Sequence, residues 1–535
     1  MIQTIQMLVA LLVVLAAVAL LAVRLRVPPS VLLVLAGVML ALVPGLPPVQ
    51  LAPEIMLLLV LPPLVYSAAV AMSWREFRFN LRPISQLAIG CVVFTTLATA
   101  AATHWLLGLP WPVGFVLGAI ISPPDALAPL AIARRMCLPR RILVILEGEG
   151  LANDATALIL YRFAVVAVSA GAFSLGPAVE NFVGVLAGEI LWGIAVGWLM
   201  LRVRRWVHEP RIEITLSIIT PYLAYWPPEH LGGSGILATV TAGLYISWNG
   251  LRLISAATRL QGVFFWDFLV YMIEGMVFLV MGLQARTVLA GIRTHSLGEL
   301  LGSAALACAV VILARFFWMY PATYLPRWLS ASLRQRDPAP PWQYPFVLGF
   351  TGVRGAVSVA AALAIPLATD SGAAFPDRDM ILFLTFAVVL VTLVGQGLLL
   401  PVVIRWLGLA SAGDSERLDD RKSELRAREQ AVQAALERLE QIKAQRELSG
   451  PEISSLTARY RGQLAHAQQS VDSKEGLSEH SRCDEEIETA LIEAERGRIN
   501  ELYRVGELKD EPRRRIEHEL DLREAQLASQ REDHP

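Results

Sequence analysis

Long apolar stretches, separated by short polar segments, dominate the first three-quarters of the chain. A membrane helix needs about 20 predominantly apolar residues, because it rises about 1.5 Å per residue through a hydrocarbon core about 30 Å thick. The pattern therefore predicts thirteen transmembrane helices. The predicted spans are 4–23, 29–45, 51–72, 83–107, 111–135, 142–172, 178–203, 211–227, 234–250, 262–284, 297–326, 343–367 and 379–408.

Arginine is distributed unevenly over the loops between these spans. Residues 1–410 contain 25 arginines, no lysine and 18 acidic residues, for a net charge of +7. Nineteen of the arginines fall on one side of the membrane, and only Arg286, Arg293 and Arg378 fall on the other. Basic residues mark the cytoplasmic side. We therefore expect a multi-pass protein of the cytoplasmic (inner) membrane with its amino terminus outside. The first span lacks a preceding basic region, so we expect it to be retained.

Residues 411–535 differ sharply in composition. They carry 21 basic and 29 acidic residues, for a net charge of −8, and no apolar span. We predict a charged helical tail in the cytoplasm. The four cysteines are widely separated and show neither disulfide nor metal spacing. No nucleotide-binding loop or catalytic triad is visible, so we expect no enzyme activity, no cofactor and no nucleic-acid partner.

Four ionisable residues fall near the middle of their spans. Asp125, Asp154, Glu274 and Arg354 lie 14, 12, 12 and 11 residues from the starts of their predicted helices. A charge at the membrane centre costs roughly 2.5–3.5 kcal/mol on insertion scales, so its first interpretation is a functional site. Each charge needs a partner or water at that depth. We therefore predict that the four form one buried cluster.

The pair Asn153-Asp154 is the strongest candidate within that cluster. A carboxylate beside an amide, in a medium of low dielectric constant, can hold either a proton or a dehydrated cation. We predict Asp154 as the ion-binding residue with Asn153 as its neighbour. A buried, hydrogen-bonded carboxylate with a purely structural role is the alternative.

Two spans are interrupted at the same depth. The fifth contains Ser122-Pro123-Pro124-Asp125 and the twelfth contains a glycine-rich run at 349–355. Proline removes a backbone donor and glycine relaxes the backbone, so both helices should unwind there. The two spans are seven apart in the chain, which predicts inverted repeats at about 4–172 and 211–408. Paired broken helices in inverted repeats indicate a transporter site.

Several of these stretches resemble the monovalent cation:proton antiporters, in particular the bacterial sodium/proton exchanger branch. The resemblance covers most of residues 1–410 and implies an all-α polytopic domain with two discontinuous, crossed helices. It also implies a core domain that moves against a dimerisation domain, and a homodimer. The matching stretches are Leu61-Pro62-Pro63-Leu64, Ser122-Pro123-Pro124-Asp125, Glu147 through Leu158, Phe278 through Leu283 and Gly352 through Ser358.

The resemblance implies a role for each site residue. The ion-binding aspartate falls on Asp154, and Asn153 matches the amide that goes with electroneutral exchange in this family. Asp125 matches the acid of the broken helix, whose backbone carbonyls, Pro124 among them, would help to coordinate the ion. The transported monovalent cation would therefore be held by Asp154 and Asp125.

Glu149 and Arg354 match a structural ion pair of the family. Arg315 is expected to snorkel or to pack structurally. Glu274 is either a structural acid, partnered by Arg162 or a backbone break, or part of the ion path.

Three positions depart from the family pattern. Pro124 stands where threonine is usual, Gly150 where serine or a similar residue is usual, and Ser67 where glutamate is frequent. Ser122 and Ser67 are kept as candidate pathway residues alongside Glu274.

The sequence as a whole predicts a secondary active antiporter that exchanges Na⁺, with Li⁺ as a further candidate, for H⁺. Exchange would be electroneutral and would serve pH and sodium homeostasis. A K⁺/H⁺ antiporter of the same architecture stays open, because both cations are bound by oxygen ligands. A cation channel, or a membrane sensor with the tail as its output, is the alternative from another class. Membrane lipid is the surrounding partner in every case.

Overall fold

Helices make up almost all of the chain that the structure describes. The structure is a computed structural model, and no strand occurs among its described residues. Residue 45, residues 51–54 and residues 171–172, which belong to three of the predicted spans, lie outside the described residues. The described residues are 2–25, 27–44, 55–170, 175–207, 209–250, 253–292, 296–369, 372–446, 451–472, 491–499, 501–502, 512–513, 516–517 and 519–524.

The helices of the first half follow the predicted spans closely. Two of these helices are preceded directly by π-helical segments, at Met56–Val60 and Gln86–Cys91. The helices are α1 (Ile2–Leu25), α2 (Pro29–Ala41), α3 (Leu61–Ala71), α4 (Trp74–Phe79), α5 (Leu81–Ser85), α6 (Val92–Leu107), α7 (Trp111–Ile121), α8 (Leu127–Arg135) and α9 (Arg140–Ala170).

The second half continues in the same way, with a π-helical segment at Thr392–Gln396. The remaining helices are α10 (Leu175–Arg204), α11 (Pro210–His230), α12 (Ile236–Asn249), α13 (Ala256–Leu283), α14 (Ala285–Gly291), α15 (Leu297–Leu329), α16 (Ala331–Arg336), α17 (Gln343–Phe350), α18 (Ala356–Leu363), α19 (Arg378–Val391), α20 (Gly397–Trp406), α21 (Leu409–Arg446) and α22 (Pro451–Asp472).

The apolar helices mark a multi-pass membrane protein. Within the described ranges, seven helices are long and apolar enough to cross a membrane, and three shorter apolar helices accompany them. Large apolar side chains such as Trp105, Leu191 and Phe264 are exposed, as expected of surfaces that face lipid. The number of crossings and the inverted repeats stay predictions.

One group of helices is built on close backbone contacts. Helix α13 packs on α2, where Gly37 and Gly282 face each other. An added Cβ at Gly37 would lie 2.9 Å from the Cα of Gly282, so both positions need a small residue. Helix α12 packs on α10 and α3. The buried carboxylate of Glu189, on α10, accepts amide hydrogens near the start of α12, including that of Leu237 at 3.1 Å.

The other group surrounds the two interrupted helices. Helices α6, α7 and α9 pack in sequence, and α15 joins them through α6 and α17. The largest buried apolar cluster includes Leu117, Ile120 and Ile121 of α7. This packing places the end of α7, and the break that follows it, against α9.

The chain divides into two compact units between Asp414 and Ser415. The first unit contains α1 to α20. The second contains most of α21 and all of α22, whose exposed surfaces are rich in charged side chains.

Candidate ion-binding site

The fifth predicted span consists of two short helices with a non-helical segment between them. Helix α7 ends at Ile121 and α8 begins at Leu127. Pro123 and Pro124 occupy the segment, and neither has the N–H that would continue the hydrogen bonds of α7. The sequence reason for the break is therefore local.

The twelfth predicted span breaks in the same way and touches the first break. Helix α17 ends at Phe350 and α18 begins at Ala356. The amide of Asp125 donates to the carbonyl oxygen of Val353 at 2.7 Å. Non-helical backbone at membrane depth is tolerated where it is buried in protein or lines a cavity. This hydrogen bond satisfies the backbone N–H of Asp125 in the first break and the backbone carbonyl of Val353 in the second.

Gly355 makes room for the carboxylate of Asp125. A Cβ added at Gly355 would lie 2.5 Å from the Cγ of Asp125 and would meet its Oδ2 more closely still. The other oxygen, Oδ1, accepts the amide hydrogen of Leu127, the first residue of α8, at 2.9 Å. The Asp125 carboxylate is therefore held between the start of α8 and the second break.

We expect Gly355→Ala to reduce exchange strongly, because the new methyl group must displace the Asp125 carboxylate. Overpacking of this kind costs about 1–3 kcal/mol of stability as well. Exchange in proteoliposomes, normalised to inserted protein, measures the effect. Gly184→Ala is the matched control, since no neighbouring atom of the described residues lies within 4 Å of that added Cβ. Equal exchange by the two variants would show that the carboxylate position is unimportant.

Asn153 ties α9 to the first break. Its side chain is fully buried, and Nδ2 donates to the carbonyl oxygen of Pro124 at 2.5 Å. Its Oδ1 accepts the backbone N–H of Asp154 at 2.7 Å. Gly150 lets α9 approach the same segment, because an added Cβ there would lie 2.6 Å from the Cβ of Ala126. This contact gives a structural reason for glycine at position 150.

Three of the carboxylate residues predicted to cluster line one cavity beside the two breaks. Asp154 on α9, Asp125 in the first break and Glu274 on α13 all contribute to its wall, and its volume is about 140 Å³. A cavity needs about 10–15 Å³ for each water, so there is room for a partly hydrated cation. Glu147 and Arg134 also line it and form an ion pair of 2.6 Å. Three of the four charges predicted to cluster are therefore together.

The two serines predicted to line the pathway are placed differently. The Oγ of Ser122 donates to the carbonyl oxygen of Ala119 at 3.2 Å, within its own helix. The Oγ of Ser67 donates to Leu64 at 2.9 Å in the same manner. Neither serine is among the described residues that line the cavity. Glu274 does line it, and also lines a second cavity of about 170 Å³ that includes Arg135.

Glu149 forms its ion pair with Arg315 instead of Arg354. The Nη1 and Nη2 atoms of Arg315 donate to the two carboxylate oxygens of Glu149 at 2.5 and 2.9 Å. Both side chains are at most 2% exposed. The Nε of Arg315 also donates to the carbonyl oxygen of Leu348, at 3.0 Å. Arg315 is therefore buried in a structural ion pair and does not snorkel. The predicted pairing of Glu149 with Arg354 is wrong, because Glu149 pairs with Arg315.

Arg354 is buried at the second break. Its backbone N–H donates to the Oγ1 of Thr392 at 3.0 Å. Its Nε and Nη1 atoms are buried without a hydrogen-bond partner in the described structure. Gly352 lies against Arg315, since an added Cβ there would be 2.5 Å from its Cδ. The break thus accommodates two guanidinium groups and pairs one of them with Glu149.

Arg162 pairs with a residue that the sequence did not suggest. Its Nη2 lies 2.8 Å from Oε1 of Glu229 on α11. The pairing of Arg162 with Glu274, one of two alternatives, is therefore not the one present. Arg162 and Asp154 share α9, and α11 packs on α10 and α12. The ion pair therefore links the helix that carries the site to the group of helices that contains α10 and α12.

Comparisons with known proteins agree with this architecture. Residues 8–406 match the family model described as sodium/hydrogen exchanger, transmembrane. A protein of Mycobacterium tuberculosis named an uncharacterised Na⁺/H⁺ exchanger is 35% identical over 517 residues, which cover 94% of this chain and 92% of that protein. A Na⁺/H⁺ antiporter of Aphanothece halophytica is 30% identical, covering 83% of this chain and 81% of the other.

A Bacillus subtilis protein named a sodium, potassium, lithium and rubidium/H⁺ antiporter is 32% identical over 392 residues. The match covers 70% of this chain and 58% of that protein. Among solved structures, a sodium proton antiporter of Methanocaldococcus jannaschii has a TM-score of 0.62 at 19% identity. It covers 76% of this chain and 99% of the solved chain, so the two share a fold.

Proposed function

Because the chain belongs to the transmembrane sodium/hydrogen exchanger family, and so is a multi-pass cation/proton antiporter, we propose that Na⁺ is the cation it exchanges. Li⁺ is the second cation we expect it to carry. The observation that carries this proposal is the shared cavity, in which Asp154, Asp125 and Glu274 face one space beside two broken helices. Hard cations are bound by oxygen ligands, and the wall supplies them.

Asp154 is the site of exchange in this proposal. Its side chain lines the cavity, while the side-chain amide of its neighbour Asn153 donates a hydrogen bond to the carbonyl oxygen of Pro124. A proton and a cation compete for the same carboxylate oxygens, so one group couples two opposite fluxes. Since Asn153 does not titrate, each cation replaces one proton at this position. Exchange would therefore be electroneutral.

Asp125 and Pro124 support the ion from the broken helix. The Oδ1 atom of Asp125 accepts a hydrogen bond from the amide of Leu127, and the Oδ2 atom lies beside Gly355. The carbonyl oxygen of Pro124 accepts from Asn153 and retains a second lone pair. Both are proposed as secondary ligands of the cation. Glu274 is proposed as a pathway residue, because it lines two cavities.

The cellular setting is part of the same proposal. We place the protein in the cytoplasmic membrane with the amino terminus outside and the tail inside, because arginine is concentrated on one side. We also propose a homodimer in which the group of helices around the breaks moves against the group containing α2 and α13. Exchange would serve pH and sodium homeostasis.

K⁺ is the second candidate substrate. The Bacillus subtilis relative carries potassium and rubidium in its name beside sodium and lithium. The oxygen-lined cavity described above would also suit K⁺, because carboxylate and carbonyl oxygens bind both ions. A direct comparison of cations is therefore the test that decides the substrate.

The experiment uses purified full-length protein in liposomes that contain a pH-sensitive dye and have an acid interior. We expect external Na⁺ or Li⁺ to alkalinise the interior, because each entering cation releases one proton. Clamping the membrane potential at zero should leave the Na⁺-driven rate unchanged. Choline is the matched control cation. Proton movement with K⁺ and not with Na⁺ would assign the K⁺ function, and current without coupled proton movement would indicate a channel.

The same assay measures competition between the two substrates. Lowering the pH should raise the apparent KM for Na⁺, because protons occupy the oxygens that the cation needs. In the limit of strict competition the increase is about tenfold per pH unit. An apparent KM that stays constant across the pH series would contradict a shared site.

A further inference from the structure

Three arginine side chains converge on one carboxylate at an end of the helices, away from the ion cavity. Arg82 lies near the start of α5, Arg141 near the start of α9 and Arg327 near the end of α15. Their Nη2 atoms lie 2.9, 2.7 and 2.7 Å from the carboxylate oxygens of Asp337. The Nε of Arg327 also donates to the backbone oxygen of Asp337, at 3.0 Å. Three positive charges against one negative charge leave an excess of two.

A cavity of about 40 Å³ opens between the same three arginines. Arg82, Arg141 and Arg327 are among its lining residues, and no acidic residue is among the described ones, since Asp337 does not line it. A water needs about 10–15 Å³, so the space accepts a few oxygen atoms and not a large ligand. The cavity therefore suits the oxygens of a small anionic group whose remainder lies outside.

Arg82 supplies a donor that has no partner among the described residues. This side chain lines the cavity, and its Nη1 atom is buried without a hydrogen bond to that part of the chain. An unsatisfied buried donor is costly, and more so when it is charged. Guanidinium groups bind phosphate oxygens through pairs of parallel N–H bonds. A phosphate oxygen would satisfy Arg82, and the single negative charge of a lipid phosphate would offset part of the excess charge.

The surroundings indicate where such a phosphate would come from. Trp328 directly follows Arg327, and Trp342 starts the segment that leads to Tyr344 in the cavity wall. Trp328, Trp342 and Trp406 are exposed, and the rings of the last two lie 6.5 Å apart. Exposed tryptophans at helix ends are typical of the membrane–water interface, where lipid headgroups lie. The cavity is therefore at the depth of lipid phosphates.

We propose that this basic cavity binds the phosphate group of an anionic phospholipid headgroup. The site is separate from the cation site, and it joins the ends of α5, α9 and α15 through one ligand. Since α9 carries Asp154 and α15 carries Arg315, the lipid stabilises the same helices that hold the transport site.

The test is thermal unfolding of the full-length protein in neutral detergent, titrated with phosphatidylglycerol. Phosphatidylcholine and inorganic phosphate are titrated in parallel. We expect phosphatidylglycerol to raise the melting temperature of the wild type. The Arg82→Gln variant should bind phosphatidylglycerol with an apparent affinity about tenfold weaker or more, because it loses a charge-assisted hydrogen bond. Arg78→Gln removes the same charge from an exposed position outside the cavity and should keep the wild-type affinity.

Each alternative result has a definite meaning. A response to inorganic phosphate without one to phosphatidylglycerol would replace the lipid by a soluble phosphate ligand and overturn the proposal. Equal loss in Arg78→Gln and Arg82→Gln would show diffuse charge attraction instead of a site. An equal response to phosphatidylcholine, whose headgroup has no net charge, would show a general lipid effect and would also overturn the proposal. Should Arg82→Gln fail to fold, Arg141→Gln provides the same comparison, because Asp337 keeps two other partners.

Discussion

Replacing Asp154 by asparagine is expected to abolish cation/proton exchange while the protein still folds. Asparagine keeps the shape of the side chain and removes the charge that holds the proton or the cation. The described bond at this residue is made by its backbone N–H to Asn153, so the change leaves that bond in place. Transport by the purified variant in liposomes, across a pH series, should fall to the level of protein-free liposomes.

Asp377→Asn is the matched control for this prediction. The side chain of Asp377 is exposed, and its φ of 51° is a left-handed conformation that asparagine adopts readily. The control therefore removes an equal charge without strain and should transport like the wild type. Exchange by Asp154→Asn that retains the wild-type pH dependence would move the site elsewhere, with Asp125 the next candidate.

Breaking the pair between Glu149 and Arg315 is expected to have the largest effect on stability. Removing one partner of a buried ion pair typically costs about 3–5 kcal/mol, because the remaining charge is left unpaired. Glu149→Gln and Arg315→Gln should each lower the yield and the melting temperature of the folded protein. Arg354→Gln should cost less, since the Nε and Nη1 atoms of Arg354 have no partner to lose in the described structure.

The double variant measures the pairing directly. Glu149→Gln with Arg315→Gln should recover part of the lost stability, because neither charge is then unpaired. The same cycle with Glu149→Gln and Arg354→Gln should show weaker coupling. Stronger coupling of Glu149 to Arg354 would contradict the observed ion pair and restore the pairing expected from the family resemblance.

Depth along the helices could be predicted from the sequence. Asp125, Asp154 and Glu274 were expected at one level because every helical residue adds the same rise, and they do line one cavity. The two breaks were equally predictable, since proline and glycine act on their own backbone wherever they stand. Arg354 lies in the break where it was expected, but it does not line the cavity in the described structure.

Depth could not identify the partner of Glu149. Arg315 lies eleven residues before the end of its predicted span, and Arg354 lies eleven residues after the start of its own. In the predicted topology both ends face the same side of the membrane, so the count places both arginines at the same level. A search for every arginine at that level would have kept Arg315 as a candidate beside Arg354. The choice between them depends on which helix packs against α9 and with which face.

The sequence by itself determined the class of protein, the positions of the broken helices and the common level of Asp125, Asp154 and Glu274 along their helices. These properties follow from local chemistry: the length of apolar runs, the missing donor of proline and the constant rise of a helix. Only the tertiary structure decided how each helix is rotated about its axis. It turned the hydroxyls of Ser67 and Ser122 toward their own helices and paired Arg162 with Glu229. The physical reason is that lipid and protein interior are both apolar, so the pattern of side chains does not distinguish the buried face of a membrane helix from the exposed one.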